Sequence, residues 1–274
     1  MTLNCNGTLI DISSPKVMGI LNITPDSFYD GGSYTNEKEI LVQTEKMLKE
    51  GATFIDVGAY SSRPGANHIS LEEELERILP VIKMILNHFP ETLLSIDTFR
   101  SEIAKQCVDN GACIINDISA GKLDENMFAT VASLQVPYIM MHLKGTPQTM
   151  KKHMDYDNLL KEILKYFSER VSIAHSHKIK DLIIDPGFGF SKTIKQNFQL
   201  LDNLELLSIL EKPLLVGLSR KSMIYKTLES TVQDALNGTS SVNTIALLKG
   251  AKILRVHDVK EAMECIKLTS QLKS

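Results

Sequence analysis

The stretch KVMGILN, residues 16–22, is a run of apolar side chains closed by one amide. Seven runs of the same form follow it: TFIDV (53–57), TLLSI (92–96), ACIIN (112–116), PYIMM (137–141), DLIID (181–185), PLLVG (213–217) and KILRV (252–256). Short branched apolar runs without in–out alternation suit strands buried on both faces of a parallel sheet. The segments between them are long enough for a crossover helix, which takes about a dozen residues or more. At or just after the run ends stand Asn22, Asp56, Asp97, Asn116, His142, Asp185, Ser219 and His257. Polar groups collected at one end of parallel strands read as a single active site.

Alternating β and α elements leave two architectures, a closed barrel and an open doubly wound sheet. An open sheet holding a dinucleotide carries GxGxxG after its first strand. Here the first loop reads ITPDSFYDGG, and GxxxxGK[ST] occurs nowhere. Eight repeats favour closure, and the 274 residues match the roughly 250 of a (β/α)8 TIM barrel. The expected class is therefore α/β, one barrel domain over residues 1–274.

LNCNGTLIDI, residues 3–12, has two β-prone stretches around Asn-Gly and predicts an N-terminal hairpin plugging the barrel floor. Helices are expected from about Glu37 to Glu50, over SEIAKQCVDNG (101–111), and at about 158–177 and 258–272. Gly51 suits the C′ position of the first. Ser70 with Glu73 forms a capping-box pattern for another.

Hydrophobic content of 43% is ordinary for a globular core. A net charge of −3 offers no field for nucleic acid, so any anion must be held by local groups. No apolar stretch approaches the roughly 20 residues of a membrane helix. The start MTLNCNGTLIDISSPK lacks a cationic segment followed by an apolar one, so no signal peptide is expected. Cys5, Cys107, Cys113 and Cys265 show no CxxC spacing and read as buried free thiols of a cytosolic protein.

Asp97, Asn116 and Asp185 end three of the runs. A carboxylate matches the two donors of an amidine-like ring edge in a bidentate, charge-assisted pair, and Asn116 adds a donor and an acceptor. LSRKS, 218–222, follows the seventh strand where a helix start favours an anion. Lys221 can reach a ring atom or an oxyanion there, and Ser219 and Ser222 can donate to a carboxylate. Arg255 and His257 lie two apart, on one side of a strand, and barrels of this kind place phosphate near strands seven and eight. Arg63, shaped by Pro64 and Gly65, is a further cation. Asn22 offers an uncharged oxygen to Mg2+ carried by a pyrophosphate, which needs few protein ligands. Met140 and Met141 line the interior or floor a flat ring pocket.

Seven stretches resemble the dihydropteroate synthase family: MGILNITPDSFYDGG, FIDVGAYSSRPGA, SIDTFR, INDISAG, DPGFGFSKT, VGLSRKSMI and RVHDV. They occur in order from about residue 17 to 260. The resemblance implies condensation of 6-hydroxymethyl-7,8-dihydropterin diphosphate with 4-aminobenzoate, in an enzyme that sulfonamides inhibit. It implies that Asp97, Asn116, Met140, Asp185 and Lys221 grip the pterin, and that Asn22, Ser62, Arg63, Arg255 and His257 hold the diphosphate, with Asn22 on Mg2+. Phe28, Pro64, Phe190, Ser219, Lys221 and Ser222 would form the aminobenzoate pocket, with Asp30 near the reacting centre. Catalytic roles fall to Asp97, Asp185, Lys221, Arg63 and Asp30. Two loops, Thr24–Tyr34 and Ser61–Ile69, are expected to close over the site, and a homodimer is expected.

The second loop departs from the family's GESTRPGA. Ser62 replaces a threonine, and Ala59 and Tyr60 replace Gly-Glu, changes that bear on sulfonamide sensitivity and not on the reaction. Two rivals remain at this level: a methyltetrahydrofolate-binding methyltransferase domain, and a pterin-binding module without catalysis. The TPDSF loop and the SRK cluster argue against the first. Retained Arg63, Lys221, Arg255 and His257 argue against the second.

Overall fold

A computed structural model describes residues 1–23, 33–60 and 68–273 of the chain. Strands β1 (Thr2–Cys5) and β2 (Thr8–Asp11) pair antiparallel, with Cys5 opposite Thr8. Asn6 and Gly7 join them at φ 49° and 86°, and positive φ at both central positions matches hairpin twist. The eight expected strands follow as β3 (Lys16–Asn22), β4 (Phe54–Gly58), β5 (Leu93–Asp97), β6 (Ile114–Asp117), β7 (Tyr138–Met141), β8 (Leu182–Asp185), β9 (Leu215–Val216) and β10 (Ile253–Val256). All are parallel, in the order β8-β7-β6-β5-β4-β3-β10-β9. A parallel bridge from Ile184 to Leu214 joins the two ends of that order and closes the barrel.

Helices fill the crossovers: α1 (Ser33–Lys49), α2 (Leu71–His88), α3 (Ser101–Asp109), α4 (Met127–Leu134), α5 (Leu159–Ser176), α6 (Ile194–Asp202), α7 (Ser222–Tyr225), α8 (Leu236–Leu248) and α9 (Val259–Ser270). Helix α1 starts four positions before the expected Glu37, and Gly51 beyond its end takes φ 102°. Ser70 caps α2, its hydroxyl accepting from the Glu73 N–H at 3.1 Å. The reciprocal half of that capping box is missing, because the Glu73 carboxylate pairs with Arg77 one turn on. The full box is on α6, where Thr193 and Gln196 each accept from the other's backbone N–H.

Residues two apart on a strand share a face, and that rule divides the barrel. Met18, Phe54, Ile114, Ile139, Ile183, Leu215 and Ile253 fill its floor together with Leu3, Cys5 and Ile12 of the hairpin segment. The hairpin is thus the plug that the sequence predicts. The alternate side chains Val17, Ile55, Ile115, Tyr138, Ile184, Val216 and Leu254 pack outward against the helices. Two positions above the floor, the same inward faces carry Asp56, Asn116, Met141, Asp185 and Arg255. Met140 belongs to the outer cluster: it pairs in register with Asp117, whereas the inward pairs are Asn116 with Ile139 and Met141 with Asp185. The expectation of an inward Met140 is corrected: Met140 points outward and Met141 takes the inward position.

All four cysteines are buried and unpaired. No described helix is long and apolar enough to cross a membrane.

Candidate active site at the barrel mouth

Arg255 points into the barrel from β10 and joins two acids across β3. Its Nε donates to Asp56 Oδ2 at 2.6 Å, and its Nη2 donates to Asp97 Oδ2 at 2.7 Å. Asn116 Nδ2 donates to the same Asp56 oxygen at 3.0 Å. Burial pushes the Asp97 carboxyl up to about 7, against the pull of Arg255 and with the help of Asp56. Burial also disfavours the Arg255 charge, but Asp56 and Asp97 more than offset it and hold the guanidinium protonated.

The turn after β8 supplies the opposite wall. Asp185 is buried, and its Oδ1 accepts from the Gly187 N–H at 2.8 Å. Burial raises its carboxyl, with Lys221 opposing. Gly187 sits at φ 71°, and a Cβ there would lie 2.2 Å from the His142 carbonyl oxygen, so this turn requires glycine. Buried Lys192 laces the turn together: its ammonium lies 3.0 Å from the Gly187 oxygen, 3.2 Å from the Phe190 oxygen and 3.0 Å from His142 Nδ1. Desolvation lowers Lys192 to about 7, with Asp185 opposing.

Lys221 donates to the Phe188 carbonyl and lies 4.6 Å from the Phe190 ring centroid. Burial lowers it to about 8, and Asp185 is the main opposing charge. Its inward direction comes from the residue before it. Arg220 takes φ 54°, a strained conformation for a non-glycine residue, and reverses the chain. Arg220 itself turns outward to Asp258 at 2.8 and 2.9 Å and to the Val232 and Gln233 carbonyls. It is a structural member of the SRK cluster. The helix expected to follow that cluster is the four-residue α7, too short to concentrate a dipole, so anion binding here falls to side chains.

Asn116, Asp185 and Arg255 stand at or next to the carboxyl ends of β6, β8 and β10, and Lys221 follows β9, so all four lie at one mouth. Asn22 ends β3 beside Gly58, half-buried. The Ser219 hydroxyl lies 2.9 Å from His257 Nδ1 and accepts from the His257 N–H at 3.2 Å. That places Ser219 under the diphosphate candidate His257, whereas the sequence grouped it with aminobenzoate contacts. Ser222 is half-buried beside Lys221. Phe190 packs against a small apolar cluster of Ile118, Met141, Leu143 and Met150. Tyr60, where the family has Glu, meets His68 Nδ1 at 3.1 Å and accepts from Gln148 at 2.8 Å. Phe28, Asp30, Ser62, Arg63 and Pro64 lie outside the described residues.

One site residue, Lys192, escaped the sequence reading, and two others, Asp56 and Met141, were named there without a specific role. Asp56 was visible as a strand end, and its two-residue offset from Phe54 was the signal for an inward face. Met141 needed the register. Lys192 had only its place in a glycine-rich turn, which does not announce a buried ammonium.

The pterin binding enzyme family model matches residues 18–257. The dihydropteroate synthase of Haemophilus influenzae is 41% identical over 270 residues, covering 98% of each chain. The Yersinia pestis dihydropteroate synthase in complex with a sulfonamide drug superposes with a TM-score of 0.93 at 39% identity, over 100% of this chain and 99% of that one. The Xanthomonas albilineans enzyme in complex with 7,8-dihydropteroate gives 0.90 at 34% identity, over 100% and 98%. On its barrel, its mouth and this near-complete match, the chain belongs to the pterin binding enzyme family, among the dihydropteroate synthases.

Proposed function

We propose that the residues of this mouth divide the labour of dihydropteroate synthesis between a deep ring site and a cationic rim. The reaction condenses 6-hydroxymethyl-7,8-dihydropterin diphosphate with 4-aminobenzoate. A carbon–nitrogen bond forms at the exocyclic carbon, the carbon–oxygen bond to diphosphate breaks, and the arylamine loses a proton. The observation that carries the division is the Asn116–Asp56–Arg255–Asp97 chain of contacts, in which the guanidinium bridges the two acids and the amide shares Asp56.

Asp97, Asn116, Asp185 and Lys221 take the pterin, with Met141 in place of Met140. Ionised Asp97 and Asp185 favour the positive charge that the reduced ring gathers as the tail departs. Arg255 and His257 face the charge that develops on the leaving diphosphate, and preorganised charges of this kind supply much of an enzyme's rate. The arylamine then needs little beyond positioning. Phe190, Lys221 and Ser222 wall the aminobenzoate side, where sulfonamides compete. The roles of Phe28, Asp30, Ser62, Arg63 and Pro64 rest on motif match alone.

Mg2+ is read as arriving with the diphosphate. Asn22 fits that reading, being one half-buried neutral oxygen donor at a strand end, as suits an ion whose other positions are filled by phosphate and water. Among the described residues no three His, Cys, Asp or Glu side chains cluster as a metal site. Residues 1–274 are read as one pterin-binding barrel domain, and the unpaired thiols support a cytoplasmic protein.

The test is diphosphate release from pterin diphosphate, measured with and without 4-aminobenzoate. Release should depend on the arylamine and appear in the soluble fraction of lysed cells. No release leaves only a binding module, and release indifferent to aminobenzoate points to different chemistry.

A further inference from the structure

We infer that Asp56 is a positioning residue of this site: its carboxylate ties Asn116 to Arg255 and so sets the spacing between ring and diphosphate subsites. The inference rests on the roles proposed above for Asn116 and Arg255. Asp56 stands on β4, between β6, which carries Asn116, and β10, which carries Arg255. One oxygen, Oδ2, accepts from both, at 3.0 Å from Asn116 Nδ2 and 2.6 Å from Arg255 Nε. The other oxygen, Oδ1, is buried without a hydrogen-bond partner among the described residues.

A buried carboxylate with an unsatisfied oxygen works against folding. Asp117 shows the alternative. It is equally buried, yet its two oxygens accept from the Ser119 N–H and hydroxyl, the Gly121 N–H and the Tyr138 hydroxyl, each at 2.6 to 2.7 Å. That is a carboxylate serving stability. Asp56 is held in a worse environment, and what it accomplishes there is to aim two other side chains. Asp97 shares Arg255, but Asp97 is also the acid that a ring edge must engage. Once it does, Asp56 is the partner that keeps the guanidinium in place.

The test uses the full chain and two separate probes. 6-Hydroxymethylpterin, which lacks the tail, reads the Asn116 end, and inorganic diphosphate with Mg2+ reads the Arg255 end. A wild-type chain that binds neither overturns the underlying roles, and this inference with them. With wild-type binding established, Asp56→Asn should weaken both probes about tenfold, the scale of a charged hydrogen-bonding partner lost. The KM for 4-aminobenzoate at saturating pterin diphosphate should stay within about twofold, and the thermal midpoint should fall little. In an Asn116→Ala background the effect of Asp56→Asn on pterin binding should shrink below about threefold, because the residue acts through Asn116. Unchanged binding of both probes overturns the inference. So does failure of both Asp56→Asn and Asp56→Ser to fold, since the carboxylate would then be present for stability.

Discussion

Asp97 is a carboxylate whose charge the fold leaves near balance at neutral pH. Burial raises it to about 7, against Arg255, while Lys221 is lowered to about 8 by burial against Asp185. On the proposed roles Asp97 acts ionised and Lys221 protonated, so activity should rise as pH passes the first value and fall as it passes the second. The kcat/KM for pterin diphosphate reports groups of the free enzyme and should trace a narrow bell across these values. The Asp97→Asn variant should retain reduced activity without the acid limb. A profile flat from about pH 6 to 9 contradicts the assignment. The single glycine at Gly187 acts at the same range: any Cβ there meets the His142 carbonyl, which would displace the turn that fixes Asp185.

The elements divide into those that hold the barrel and those that present chemistry. The β1–β2 hairpin belongs to the first group, with Leu3 only 2% exposed among floor side chains of seven barrel strands. Truncating a buried leucine removes about 2–5 kcal/mol of stability. Leu3→Ala should therefore lower the urea midpoint by that equivalent while kcat of the folded enzyme stays unchanged, because the mouth lies at the far end of the barrel. A fall in kcat in the folded state would show that floor and mouth are coupled. The turn after β8 and the reversal at Arg220 belong to the second group. In the first, Gly187 at φ 71° donates to the inward-facing Asp185, and in the second, Arg220 at φ 54° precedes Lys221.

Neighbouring α8 and α9, with the C-terminal turn, expose apolar side chains: Leu248 at 49%, Leu268 at 72% and Leu272 at 70%. Exposed apolar groups gathered on adjacent elements mark association surfaces, and a homodimer is the proposed occupant. Sedimentation at micromolar concentration should give a two-chain species, weakened by Leu268→Glu; a monomer under those conditions overturns it. Much of this molecule was legible in its residues. Branched apolar runs define strands because burial on both sheet faces leaves no alternation, and eight of them with crossover spacing imply closure. The polar residue ending each run marks the mouth, since strand ends are where a buried run must meet solvent. Closure decided the rest. Which of Met140 and Met141 faces inward is a question of register, invisible to composition. Arg255 finds Asp56 and Asp97, and Ser219 finds His257, only when strands far apart in sequence become neighbours around a ring. Side-chain partnership depends on distance in space, and local sequence pattern carries information about direction along the chain alone.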